Sequence, residues 1–150
     1  MGSLAGNRRQ AREAAMGFLY QRELYPESLT ALPVTFIRHF QVSEPFQAYF
    51  LKLTEGVVAH AAAIDQEIVA AAEHWKLYRM GKIDLSILRL STFELMQCPE
   101  TSHQIIIDEA VELAKNYGSQ DSASFVNGLL DRIAHKLRQI PPAAPISSLA

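Results

Sequence analysis

Residues 105–137 constrain the fold most strongly, because two apolar repeats at helical spacing follow each other across a short polar break. The first repeat predicts an amphipathic helix with an apolar face formed by Ile106, Ala110, Leu113, Ala114 and Tyr117. The second repeat predicts another helix with an apolar face formed by Val126, Leu129, Leu130, Ile133 and Leu137. Together they predict a helical hairpin that buries one continuous side.

The residues around the break predict where each helix of the hairpin begins and ends. Asp108 and Glu109 lie early in the first helix, where negative charge favours the helix dipole. Gly118 follows that helix and is predicted to end it in a left-handed conformation. Ser119, Asp121 and Ser122 precede the second repeat and offer side-chain oxygens to start the second helix, and Asp121 is a candidate for its N-cap.

The rest of the sequence also predicts helices and no strand of consequence. The predicted elements are a helix from Arg8 that ends before Pro26, a short helix over residues 34–40, the longest helix over residues 46–72, a helical turn ending at Gly81 and a helix over residues 84–97. Residues 1–7 are predicted to be disordered, residues 8–139 to form one domain, and residues 140–150 to be a proline-rich tail. We therefore expect an all-α fold, a compact bundle of about seven helices in two packed three-helix groups.

Composition excludes several classes of protein. A chain of 150 residues with 49% hydrophobic content suits one domain with a substantial core. Cys98 is the only cysteine, so no internal disulfide can form, and no apolar run is long enough to span a bilayer. These features predict a cytoplasmic protein without membrane contact. The formal net charge of −2 means that any contact with nucleic acid requires a local basic patch.

No catalytic, metal or cofactor motif is present in the sequence. The five histidines are scattered without the spacing of metal ligands, and no phosphate-binding loop surrounds Gly81 and Lys82. Glu94 and Glu109 are either buried acids or ordinary carboxylates at a helix end or at the solvent edge, and the ordinary explanation is favoured. We therefore expect a protein that is not an enzyme and that has no metal and no cofactor.

Two features suggest a recognition surface, although each also has an ordinary explanation. Arg8, Arg9 and Arg12 place positive charge where it opposes the dipole of the predicted first helix, so they either form a solvated face or bind an anion. Phe125 lies at the flank of the apolar face of the last helix. Its ring either covers the edge of the core or stacks on an RNA base.

The central hairpin carries DEAVELAKNYG followed by FVNGLLDRIA, which is similar to the signature of the NusB family of bacterial transcription antitermination factors. The resemblance extends to NRRQAREAAMGFLYQREL near the N-terminus, to GKIDLSILRLSTFEL before the hairpin and, more weakly, to YFLKLTEGVVAHAAAID. It covers most of residues 8–137.

The resemblance implies that the protein binds RNA. It implies that Arg8, Arg9 and Arg12 contact the boxA element of ribosomal RNA leader transcripts. It also implies that Phe125 meets the RNA and that Asp121 lies beside its path.

The resemblance also implies a protein partner. This partner is NusE, a protein of the small ribosomal subunit, which would dock on Tyr20, Leu24 and Asp84. The implied function is transcription antitermination, in which the two proteins on boxA RNA support the RNA polymerase elongation complex on ribosomal RNA operons. Two alternatives remain open at this point: the RNA-positioning domain of a ribosomal RNA cytosine methyltransferase, and an adaptor that binds protein only.

Overall fold

The computed structural model describes residues 4–73 and 75–141, and over these ranges the chain forms helices and no strand. The α-helices are α1 (Leu4–Leu24), α2 (Pro33–Phe40), α3 (Glu44–Ala59), α4 (Ala61–Ala72), α5 (Lys82–Gln97), α6 (His103–Tyr117) and α7 (Ser122–Leu137). Two short 3-10 helices, Leu29–Ala31 and Leu77–Arg79, lie in the connections. The predicted all-α fold with about seven helices is confirmed, and no helix in these ranges is long and apolar enough to cross a bilayer.

Helix α5 lies at the centre of the bundle. Apart from Arg89, its residues 85–95 are buried on all sides, as expected for a helix surrounded by other helices. It packs against α1 and α3 on one side and against α4, α6 and α7 on the other. Its C-terminal end is held by Arg138, which follows α7 and whose guanidinium donates hydrogen bonds to the main-chain carbonyls of Glu94, Leu95, Cys98 and Thr101.

The prediction of one long helix over residues 46–72 is wrong, because the helix is interrupted at His60 and forms α3 and α4 instead. His60 has φ −109° and ψ 20°, its main-chain N–H bonds to the Gly56 carbonyl, and its ring Nδ1 lies 2.9 Å from the same carbonyl. Gly56 itself marks a close helix crossing, since a Cβ atom there would overlap the ring of Phe93 on α5. The 21-residue α1 is thus the longest described helix.

Helix α1 begins at Leu4, four residues before the predicted start of structure. Of the segment predicted to be disordered, residues 4–7 are therefore helical, and residues 1–3 lie outside the described ranges. Arg8 and Arg9 consequently fall beyond the first turn, where the helix dipole has little effect. At the other end of the chain, most of the predicted tail also lies outside the described ranges.

The central hairpin forms as predicted, but its turn is built differently. Gly118 is extended, with φ −91° and ψ −169°, and is not left-handed. Glycine is required there because a Cβ atom would come to 2.5 Å from Ser122. Asp121 precedes α7, yet its side chain makes no capping hydrogen bond. The hydroxyl of Ser122 instead accepts a hydrogen bond of 2.9 Å from the main-chain N–H of Ser119.

Candidate nucleic-acid interface

Arg12 is buried, although the sequence favoured an exposed position. Its guanidinium donates to both carboxylate oxygens of Glu94, at 2.8 and 2.9 Å, and the Tyr49 hydroxyl donates to the same carboxylate at 2.8 Å. Arg12 is 4% exposed and Glu94 is 1% exposed. The expectation of a carboxylate at the solvent edge is therefore wrong for Glu94, which is the counterion of a buried arginine.

The charges of this buried group stabilise one another. Burial disfavours the charged guanidinium, but the hydrogen bonds and the charge of Glu94 outweigh that cost, so the pKa of Arg12 is raised above its ordinary value. Burial and the nearby Glu94 carboxylate also raise the pKa of the Tyr49 phenol. Arg12 thus remains charged and Tyr49 remains a hydrogen-bond donor.

Arg8 and Arg9 lie at the surface above this group. The Arg8 guanidinium lies 4.8 Å from the centre of the Tyr49 ring and has no salt-bridge partner among the described residues. Arg9 makes a two-pronged ion pair with Glu109 on α6, with N to O distances of 2.9 to 3.2 Å, while its side chain remains 68% exposed. Surface pairs of this kind contribute roughly 1 kcal/mol or less, so a phosphate can replace Glu109.

Phe125 and Asp121 lie on a different surface, in a cleft between the start of α7 and the segment that precedes α5. This cleft has a volume of about 270 Å³, and Asp84 and Trp75 also line it. Phe125 packs on the core edge, and its ring centre lies 6.2 Å from that of Trp75 in an edge-to-face arrangement. Asp84, predicted to bind a protein partner, thus shares a cleft with two residues predicted to bind RNA.

Tyr20 and Leu24 lie one turn apart near the end of α1. Tyr20 is half-buried, and Leu24 is exposed. Between them, Glu23 pairs with Arg89 at 2.7 Å and with Lys82 at 3.4 Å, which joins the end of α1 to the first half of α5. The two residues therefore lie near the helix junction from which Asp84 also projects.

The model of the NusB family matches residues 9–135 of the chain. This chain belongs to the NusB family. The transcription antitermination protein NusB of Sorangium cellulosum is 42% identical to it over 135 residues, which cover 90% of this chain and 96% of that protein. The corresponding protein of Anaeromyxobacter dehalogenans is 38% identical over 144 residues, covering 93% and 96%.

Solved structures of NusB proteins share the fold. The structure of NusB from T. maritima has a TM-score of 0.78 and 30% identity, covering 89% of this chain and 97% of the other. A crystal structure of the antitermination factors NusB and NusE in complex with double-stranded RNA has a TM-score of 0.76 and 26% identity, covering 87% and 98%. Members of the NusB family are transcription antitermination factors and not enzymes, and this chain is one of that family.

The structure divides the predicted RNA residues of this NusB family member into two surfaces. Arg8 and Arg9 lie on one surface with Arg12 beneath them, whereas Asp121 and Phe125 lie in the separate cleft. Sequence reasoning missed Tyr49, because its contact with Glu94 joins residues 45 positions apart. It also missed Trp75, although an aromatic residue beside basic ones in WKLYR was a visible signal.

Proposed function

We propose that this chain binds boxA-type single-stranded RNA of ribosomal RNA leader transcripts together with NusE. The complex would support processive elongation by RNA polymerase on ribosomal RNA operons, in the cytoplasm. The observation that carries the proposal is the pair of accessible arginines, Arg8 and Arg9, on a chain whose formal net charge is −2. The solved NusB relative in complex with NusE and RNA supports the choice of partners.

The three arginines have different roles in this proposal. Arg8 and Arg9 contact phosphates. Arg8 has no carboxylate partner among the described residues, and Arg9 pairs only with Glu109 at the surface of the described chain. Arg12 is fully engaged by Glu94 and acts indirectly, since the same carboxylate also fixes the Tyr49 ring against which Arg8 lies. Asp121 and Phe125 contribute from the cleft, and Tyr20, Leu24 and Asp84 bind NusE.

The contact of Arg9 with RNA is tested by a pair of substitutions with opposite effects. Arg9→Ala should weaken binding and reduce the slope of log affinity against log salt concentration by about 0.7, the value for one phosphate contact on a single strand. Glu109→Gln should tighten binding, because it weakens the competing pair and removes a negative charge. Fluorescence anisotropy of a labelled boxA RNA over a salt series measures both effects.

The matched control is Lys115→Gln, since within the described ranges Lys115 pairs only with Glu112 on its own helix, and its side chain is also more than half exposed. It should leave the salt slope of boxA binding unchanged. If Arg9→Ala and Glu109→Gln both behave like this control, Arg9 does not contact RNA. If the chain binds NusE but no RNA in the presence or absence of NusE, it is an adaptor that binds protein only.

Asp121 should affect RNA binding without affecting the stability of the fold. Because its side chain is exposed and makes no capping hydrogen bond, both Asp121→Asn and Asp121→Ala should change the free energy of unfolding by less than about 0.5 kcal/mol. Both should tighten RNA binding, because they remove a charge that repels phosphate. Urea unfolding and RNA anisotropy measure the two effects separately.

Ser122→Ala is the control for the helix start. The buried Ser122 hydroxyl accepts a hydrogen bond from the main-chain N–H of Ser119. Losing this hydrogen bond should lower the free energy of unfolding by about 1 kcal/mol. A comparable loss for Asp121→Ala, with RNA affinity unchanged, would make Asp121 a capping residue and remove it from the RNA site.

A further inference from the structure

Trp75 is the only tryptophan of the chain, and it is 53% exposed. It lies in the segment between α4 and α5, next to the 3-10 helix that carries Tyr78 and Arg79. Tyr78 is also exposed, and the Arg79 guanidinium lies 5.8 Å from its ring centre. A large aromatic surface is thus left in solvent beside a cation.

Trp75 separates two cavities, and Phe125 lines both of them. The first cavity is the cleft of about 270 Å³ that Asp84 and Asp121 also line. The second has a volume of about 230 Å³ and lies between the end of α4 and the face of α7 that carries Gly128 and Arg132. An edge-to-face pair of rings therefore lies between the two cavities.

The cations around this pair form no salt bridge within the described residues, although Asp84 and Asp121 line the same cavity as Arg79. Among the described residues, Lys76, Arg79 and Arg132 have no salt-bridge partner, whereas Arg9, Arg12 and Arg89 are all ion-paired. One N–H of Arg132 donates to the Ala71 carbonyl at 3.1 Å, which ties the guanidinium to the end of α4. These charges suit a ligand that is both anionic and aromatic, which is the chemistry of a nucleotide.

The two cavities differ in charge. Asp84, Asp121 and Arg79 line the first cavity, so the acids outnumber the cation there and the cavity suits an uncharged base better than a phosphate. Among the described residues, Arg132 is the only charged one that lines the second cavity, which therefore suits a phosphate. Because Trp75 lies between the two cavities, it has the side suited to a base on one flank and the side suited to a phosphate on the other.

We propose that Trp75 stacks an unpaired RNA base in the first cavity while Arg132 binds an adjoining phosphate. This inference rests on the proposed function and adds the segment before α5 to the RNA-binding surface. Aromatic rings receive bases of single-stranded RNA in this way, because every base has a flat face and stacking excludes water. Phe125 supports Trp75 edge-on in this arrangement.

Because Trp75 is the only tryptophan in the sequence, its fluorescence reports on RNA binding at this site. Titration of the chain with unlabelled boxA-type single-stranded RNA should quench the emission of Trp75, with a midpoint that equals the dissociation constant from anisotropy. Trp75→Ala should weaken RNA binding about tenfold, within the range measured for loss of one base stack. Trp75→Phe should retain most of the affinity, and Arg132→Gln should reduce the salt slope by about 0.7.

The control is Tyr25→Ala, which removes another exposed aromatic side chain and should leave RNA binding unchanged. RNA binding with unchanged Trp75 emission and with wild-type affinity in Trp75→Ala would overturn this inference and leave the proposed function intact. Wild-type RNA affinity in Trp75→Ala with loss of the enhancement by NusE would assign the cleft to a protein partner. Absence of RNA binding by the wild-type chain, in the presence or absence of NusE, would overturn both proposals.

Discussion

Glu94→Ala is expected to destabilise the protein by about 3 to 5 kcal/mol, because it leaves the buried guanidinium of Arg12 without a counterion. The substitution also removes the acceptor of the Tyr49 hydroxyl, so a buried guanidinium and a partly buried hydroxyl lose their partner at once. Urea unfolding followed by circular dichroism measures the change.

Two further variants test whether the loss of stability comes from the buried charge of Arg12. Glu109→Ala breaks the surface pair with Arg9 and should cost roughly 1 kcal/mol or less. Replacing both Arg12 and Glu94 by leucine should cost less than Glu94→Ala, because no charge is then left buried alone. Equal losses for Glu94→Ala and Glu109→Ala would show that the buried pair does not hold α1 to α5.

Double substitution of Tyr20 and Asp84 by alanine should abolish the enhancement of boxA binding by NusE. Tyr20 would supply the apolar contact with Leu24, and Asp84 would meet a basic group of NusE, so losing both should cost about 2 kcal/mol or more of partner affinity. RNA binding by the isolated chain should not weaken, because neither residue is a cation or an exposed stacking ring. Anisotropy of labelled boxA RNA with and without NusE measures the enhancement.

A second double substitution serves as the control. Phe40→Ala with Asp131→Ala removes an exposed aromatic residue on α2 and an exposed acid on α7, and it should leave the enhancement intact. Full enhancement in the Tyr20 and Asp84 variant would place NusE on another surface. Tight boxA binding by the wild-type chain without NusE would also contradict the proposed cooperation.

The helices were predictable because each one follows a local apolar repeat of period 3.6. The positions at which the helices end were less predictable from the sequence. The break at His60 depends on its ring and main chain meeting the Gly56 carbonyl, and the apolar repeat continues across it. Gly118 shows a similar limit of prediction from the sequence. It follows the end of a helix as expected, but glycine is needed there because a Cβ atom would clash with Ser122.

The candidate sites were less predictable, because they depend on contacts between distant segments. Arg12 and Glu94 are 82 positions apart, so the sequence shows their charges but not their pairing or burial. The cleft at Trp75 is likewise formed by the segment before α5 and by the start of α7. Resemblance to a family supplied candidate residues there, and only the fold separates Arg12 from Arg8 and Arg9.

The hydrogen bonds of Arg138 have a consequence for the order in which the chain can fold during synthesis. The carbonyls at the end of α5 receive their guanidinium donor only after α6 and α7 have been made. Helix α5 is buried on nearly all sides in the folded protein, so it also remains uncovered until those helices emerge from the ribosome. The bundle is therefore expected to close late, in one cooperative step after most of the chain has been synthesised.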